Sequence, residues 1–281
     1  MTIDPEAFRA ESREKWEGQA PGWEARRGPF ARDTMPVTEA LLDALALQPG
    51  ETLLEVAAGT GDVGLQAAQQ LQPGGRAILT DGALGMVAAI ERAAQGVPGV
   101  EAKPMEAEWL DLPTASVDAI VSRWGYMLLA DPETALREAR RVLRPGGRIA
   151  LAVWSHAADN PWLSALGRVM QELGHWTPDP PGTPGPFAIP EPEPLTELLE
   201  AAGFADVAVR AVDFHFAAAS GDEWWEHLLQ TSGRLRPTVE GLSPAEHTAV
   251  RDALDAALAP YAQEDGSLRM PARTQVARAD A

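Results

Sequence analysis

From residue 36 to residue 154, short apolar runs alternate with longer stretches whose apolar positions recur every three or four residues. Leu41, Leu42 and Leu45 give one face of a helix that stops at Gln48-Pro49-Gly50. Leu53, Leu54 and Val56 then predict a buried strand over 52–57, followed by a helix over about 62–72 that closes at Pro73-Gly74-Gly75. The same alternation predicts strand 76–80, helix 83–95, a weaker strand 100–105, strand 117–122, and strand 148–154. Pro104 marks 100–105 as an edge strand, because proline donates nothing to a ladder. Between the last two strands, Asp131-Pro132 supplies an N-cap and a first-turn proline for a helix carrying Leu136, Ala139 and Leu143 inward. Repeated strand–helix alternation means a parallel sheet covered by helices, an α/β fold.

Beyond Trp154 the rhythm changes. A helix over about 160–174 runs into a segment with eight prolines between Thr177 and Pro194, which forbids regular structure and predicts an extended surface loop or lid. A short helix over 195–202 ends at Gly203, and strand-like 205–217 and 268–278 flank helices over about 221–231 and 243–261. The first 35 residues place Phe8, Trp16, Trp23 and Phe30 on helical segments, a cover for one end of the sheet.

The chemistry concentrates where strand 52–57 stops. Gly59 and Gly61 lack a Cβ, so the Gly59-Thr60-Gly61 turn lets backbone approach a ligand closely. The helix that begins near Asp62 points free N–H groups into that turn. Asp81, ending the next strand, is placed to accept ribose hydroxyls. This is a nucleoside-cofactor pattern. Gly59-x-Gly61-x-x-Gly64 with an acid about twenty residues on also fits a dinucleotide site. Glu55 counts against that reading, because a carboxylate inside the strand repels phosphate and suits a cationic ligand.

Composition narrows the partners. The net charge of −18 opposes nucleic acid and anionic membrane surfaces, whose affinities rest on Lys and Arg. The absence of cysteine removes disulfides, thiolate catalysis and cysteine metal sites, and fits a cytoplasmic protein. The charged N-terminus is not expected to act as a signal peptide, no run is long enough for a membrane span, and the histidines show no close metal-ligand spacing. No metal is expected, and the oligomeric state is left open.

The segments LLEVAAGTGDVG (53–64), ILTDGALGM (78–86), 105–154 and LLEAAGF (198–204) together resemble the class I S-adenosylmethionine-dependent methyltransferases. Within that class they look like the methyltransferase type 11 domain of the ubiquinone/menaquinone-biosynthesis C-methyltransferases. The resemblance covers roughly residues 36–217. It implies a Rossmann-like seven-stranded mixed sheet of order 3-2-1-4-5-7-6 with strand 7 antiparallel. Residues 1–35 form a helical cover, residues 36–281 the S-adenosylmethionine-binding domain, and 155–195 and 220–265 its cap elements, the second inserted between strands 6 and 7.

Carried over by position, the resemblance implies that Glu55 holds the methionine amino group of S-adenosyl-L-methionine. The backbone of Ala57, Gly59, Thr60 and Gly61 would line the methionine and ribose. Asp81 would take the ribose hydroxyls beside Gly82, Met86 would lie against the adenine, and Glu106 and Ala107 would meet its edge. Ala57 stands where many members have glycine, and Glu106 where aspartate is usual. Arg123 follows strand 117–122 and is a candidate partner for a cofactor or substrate carboxylate. Trp124 and Tyr126, with Trp23 from the cover, are candidate substrate contacts, and His156 is the candidate base. Trp162, Trp176, Trp224 and Trp225 lean toward a hydrophobic or aromatic small-molecule substrate. The expected activity is methyl transfer to an O, C, N or S atom by in-line displacement. The alternatives are a catalytically silent binding protein on the same fold and a nicotinamide-dependent oxidoreductase.

Overall fold

The computed structural model describes residues 4–180, 182–233 and 235–281. Pro181, in the proline-rich segment, lies outside them. Helices α1 (Pro5–Asp33) and α2 (Met35–Leu45) lead into β1 (Thr52–Val56), α3 (Asp62–Gln70), β2 (Arg76–Asp81), α4 (Leu84–Ala93) and β3 (Val100–Pro104). Then come β4 (Val117–Arg123), α5 (Pro132–Val142), β5 (Leu143–Trp154), α6 (Pro161–Glu172), α7 (Pro192–Ala201) and β6 (Ala205–Ala218). Helices α8 (Gly221–Thr231), α9 (Arg236–Glu240) and α10 (Pro244–Leu258) precede the last strand, β7 (Leu268–Asp280).

The strands form one seven-stranded sheet of order β3-β2-β1-β4-β5-β7-β6. β1 pairs in parallel with β2 and β4, whereas β7 runs antiparallel between β5 and β6. This is the topology the resemblance implied. Pro104 sits on β3, the outer strand, where its missing N–H costs no ladder bond. β5 starts at Leu143, earlier than the predicted 148. Leu143 already pairs with Val117, and the register shifts before Ala119 meets Arg148. Leu143 is therefore buried as a strand residue and not as the last inward position of α5.

Every residue of β1 is buried. Full burial of Leu53 and Leu54 contributes roughly 2 kcal/mol each, and it also brings Glu55 into the apolar layer between them and Val56. Helices α2, α3, α5 and α7 cover the sheet. A second core joins α6 to the insertion through Leu166, Val169, Met170, Trp224, Trp225, Leu228, Val250 and Leu254. Trp225 belongs to that core, beneath the Arg251 guanidinium. Trp224 shares the core and, with Trp162, also lines a small second cavity of about 60 Å³ beside Trp23 and Phe30. In the proline-rich segment the Gly185 N–H donates to the Met127 carbonyl at 3.0 Å and Ile189 is buried. Its described residues line neither that small cavity nor the larger one beneath α1. Among the described residues no helix is long and apolar enough to cross a membrane.

α1 is one helix of 29 residues, capped by the Asp4 carboxylate, which accepts the N–H groups of Glu6 and Ala7. Trp16, Trp23 and Phe30 recur every seven residues and so share one face. That face lies over the strand ends and is tied down on both sides. Arg13 pairs with Glu106 at 2.6 Å, Arg27 with Asp62 at 2.6 Å, and Arg92 with Glu24 at 2.7 Å. The Glu17 carboxylate accepts the Gly85 N–H at 2.8 Å. The sheet's carboxyl edge is therefore roofed.

Candidate functional site

Between the carboxyl ends of β1, β2 and β4 and the underside of α1 lies a cavity of about 190 Å³. This is the crevice where ligands of open α/β sheets bind. Its floor is the turn after β1, where Ala57, Gly59 and Gly61 all take positive φ, at 52°, 57° and 79°. For Ala57 this is the left-handed region that glycine occupies without strain, so the departure from glycine keeps the backbone path at a cost. Glu55, Ala57, Gly59, Thr60, Asp81, Gly82, Met86, Glu106, Ala107, Arg123, Trp124 and Trp23 all line the cavity. Gly61 is not among the lining residues. A Cβ there would sit 2.9 Å from Leu79 and 3.1 Å from Ile90, so this glycine lets α3 pack against β2 and α4.

Two carboxylates flank the turn. Glu55 is 1% exposed, and its Oε2 accepts the Gly64 N–H at 2.8 Å. Burial raises its pKa to about 8, against the opposing pull of that N–H and of Arg123. Asp81 accepts the Gly59 N–H through Oδ2 at 2.9 Å and the Ala83 N–H through Oδ1 at 3.0 Å. Burial lifts it to about 6, with the two N–H groups holding it lower than burial alone would. Both carboxyls thus keep lone pairs beyond their backbone bonds, in a site that penalises their charge. A cation beside Glu55 and hydroxyl donors beside Asp81 would relieve that penalty.

Arg123 is an internal hub. Nη1 donates to Thr34 Oγ1 at 2.9 Å and Thr38 Oγ1 at 2.8 Å, and Nη2 approaches Asp62 Oδ2 at 3.3 Å. The guanidinium lies over the Phe30 and Trp124 rings. Its named donors thus join α2, α3 and β4, and it shapes the wall that carries Glu55. Trp124 is fixed as firmly. Its ring stacks on Trp154 with centroids 4.0 Å apart, and Nε1 donates to Thr274 Oγ1 at 3.0 Å. Its backbone sits at φ 62°, and Gly125 follows because a Cβ there would lie 2.6 Å from that of Ala57. The strain falls where two strand ends meet under the cavity.

Two candidates lie elsewhere. Tyr126 is 2% exposed and does not line the cavity. The short turn Tyr126–Leu128 rolls its ring into the core, where burial holds the phenol above its usual range. His156 is half exposed beyond β5 and pairs with Glu191 at 2.6 Å, outside both cavities. Among the described residues no histidine lines the cofactor-side cavity.

Sequence reasoning missed the contribution of α1 beyond Trp23. Arg9, Ser12, Arg13 and Trp16 line the roof. The seven-residue spacing of Trp16 with Trp23 was a usable signal; the arginines gave none. Glu108 was also missed. It is 1% exposed, its oxygens accept no hydrogen bond among the described residues, and its nearest cation is Arg9 at 3.7 Å. Burial raises its pKa. Asp62, which takes both Arg27 and Arg123, completes the wall.

A family model described as a methyltransferase domain matches residues 54–151, which contain the turn, Asp81, Glu106 and Arg123. The demethylmenaquinone methyltransferase of Thermus thermophilus is 33% identical over 180 residues, covering 57% of this chain and 78% of that protein. The ubiquinone/menaquinone biosynthesis C-methyltransferase UbiE of Caulobacter vibrioides is 34% identical over 151 residues, covering 49% of this chain and 59% of the relative. An uncharacterized 37.1 kDa protein in a transposon of Streptomyces fradiae is 31% identical over 214 residues, covering 67% of this chain and 60% of its own length. The chain thus spans about 60% of the length of these last two relatives. Among solved structures, the YcgJ protein of a Bacillus superposes with a TM-score of 0.57 at 18% identity, over 86% of this chain and 97% of that one. That likeness concerns the fold. The chain belongs to the class I S-adenosylmethionine-dependent methyltransferases.

Proposed function

We propose that this protein transfers the methyl group of S-adenosyl-L-methionine to a small hydrophobic or aromatic molecule by in-line displacement. The observation that carries the reading is the pairing of Glu55 and Asp81. Two carboxyls, Glu55 buried and held by one backbone N–H and Asp81 half-buried and held by two, flank one glycine turn inside one roofed cavity. Glu55 would hold the methionine amino group and Asp81 the ribose hydroxyls, with the backbone of Ala57 and Gly59 between them. Met86 and Ala107 would face the adenine. Glu106 reaches the same end already paired to Arg13, so α1 and the adenine reader form one unit.

When bound, the cofactor supplies an activated methyl group on a sulfonium whose leaving thioether is neutral. The protein's part is then positioning and exclusion of water. Trp124, locked by Trp154 and Thr274, gives a rigid wall, and the Trp16, Trp23 and Phe30 face of α1 closes the site. Alignment of this kind lowers a barrier by roughly 7–11 kcal/mol at its best.

Calorimetric titration with S-adenosylmethionine and, separately, with NADH tests the cofactor. Binding of the first and not the second is expected, and the reverse overturns the proposal. Mass spectrometry of reactions with phenols, quinols, amines and thiols tests turnover. Cofactor binding with no methylated product from any class would favour a silent binding protein.

A further inference from the structure

Two acids stand on either side of Ala107, and the fold treats them differently. Glu106 is anchored. Its Oε1 takes Arg13 at 2.6 Å, and its carboxyl lies 3.1 Å from where a Cβ on Gly82 would sit, next to the acid that ends β2. Glu108 lines the same large cavity and is 1% exposed, yet neither of its oxygens accepts a hydrogen bond among the described residues.

Three neighbours come near enough to act on Glu108, and none satisfies it. The Arg9 guanidinium lies over the Trp109 ring, 4.5 Å from its centroid, and stops 3.7 Å from Glu108 Oε1. The N–H of Asp131, the N-cap of α5, pulls on the carboxyl without closing a hydrogen bond. The Tyr126 phenol feels the charge of Glu108, and its hydroxyl also has no partner among the described residues. Desolvation outweighs these pulls, so Glu108 holds its proton more tightly than a solvated glutamate does. In either protonation state the group keeps an acceptor oxygen. A buried acceptor without a donor is costly in the free protein, and it leaves one bond for a ligand to supply.

We propose that Glu108 is a specificity-determining residue of the cofactor site, whose carboxyl accepts an N–H of the adenine 6-amino group beside Glu106. That amine carries two N–H bonds directed apart in the ring plane, one for each acid. A base without the amine leaves the buried carboxyl unmet, which is how a site built around a polar contact rejects the analogue that lacks it. Placing adenine at this end of the cavity rests on the methyltransferase reading; the unmet carboxyl is a property of the fold.

The test uses the full chain in calorimetry, with S-adenosylhomocysteine and its purine analogue lacking only the 6-amino group. The wild type is expected to prefer the amine-bearing ligand. Glu108→Ala should shrink that preference roughly tenfold, the scale of one hydrogen bond to a charged group, by weakening S-adenosylhomocysteine alone. Glu108→Gln keeps the shape and a weaker acceptor, so its preference should fall between the other two. Thermal unfolding of each free protein shows that it is folded, and the Gln variant carries the test if the Ala variant is not. An unchanged preference in the variants overturns the assignment. Equal weakening of both ligands also overturns it, because a purely structural role would act on both alike. If neither ligand binds the folded wild type, the methyltransferase reading falls and takes the assignment with it.

Discussion

Oε2 of Glu55 accepts the backbone N–H of Gly64 at 2.8 Å, so a carboxyl buried in β1 is fastened to the first turn of α3. The contact needs a glycine. A Cβ on residue 64 would stand 2.5 Å from that oxygen and 2.7 Å from Leu79 Cγ. One missing methyl group thus sets both the helix–strand packing and the direction in which Glu55 faces the cavity.

Gly64→Ala should therefore lower stability by about 1–3 kcal/mol, the usual range for overpacking a tight core. It should also weaken S-adenosylmethionine binding, because Glu55 must move. Urea unfolding and calorimetry measure the two effects separately, and Gly167→Ala on α6, where an added Cβ meets nothing within 4 Å, serves as a control that leaves the Glu55–Gly64 contact in place.

The raised carboxyls give stability a definite sign with pH. Folded Glu55 titrates near 8 against an ordinary 4.5, and Asp81 near 6 against 3.8. The folded state holds these protons more tightly than the unfolded one, so stability is fully present below the ordinary values and falls as pH rises through the folded ones. The difference in unfolding free energy between wild type and Glu55→Gln should decline from about pH 4.5 toward pH 8. A difference that is flat across that window would contradict the burial argument.

A cation placed beside Glu55 favours its ionised form. Binding of S-adenosylmethionine near pH 7 should then release protons, so that the binding enthalpy depends on the ionisation enthalpy of the buffer. Glu55→Gln should remove most of that dependence. Titrations in phosphate and in Tris compare the two directly.

Arg123 is the buried cation of the wall, with side-chain exposure of 9%. Arg123→Met leaves Thr34, Thr38 and part of Asp62 without their donor, and should cost about 3–5 kcal/mol by the usual effect of breaking a buried pair. Arg13→Ala acts differently, because its pair with Glu106 is half exposed. Stability should change by less than about 1 kcal/mol, while cofactor dissociation quickens and becomes less sensitive to salt. Chemical denaturation and stopped-flow displacement separate these outcomes.

His156→Ala should leave turnover within about a factor of two, since general-base contributions of roughly 100-fold or more require contact with the reacting group. His156 pairs with Glu191 away from both cavities. Steady-state kinetics on any acceptor that the protein methylates would show this.

The sequence by itself determined the sheet, the glycine turn and the two carboxyls beside it. Each depends on neighbours close along the chain: β1 is an apolar run, the turn needs residues that tolerate positive φ, and Asp81 ends the adjacent strand. The aromatic positions Phe8, Trp16, Trp23 and Phe30 also marked the first 35 residues as a cover for one end of the sheet. Only the tertiary structure decided what met that cover, because Arg13 and Glu106 lie 93 positions apart and no periodicity links them. It also turned Tyr126 into the core and drew Arg123 into a hub of threonines. Such outcomes depend on which groups the packed chain brings together in a medium of low dielectric, where an unmatched charge or an extra methyl group decides the arrangement.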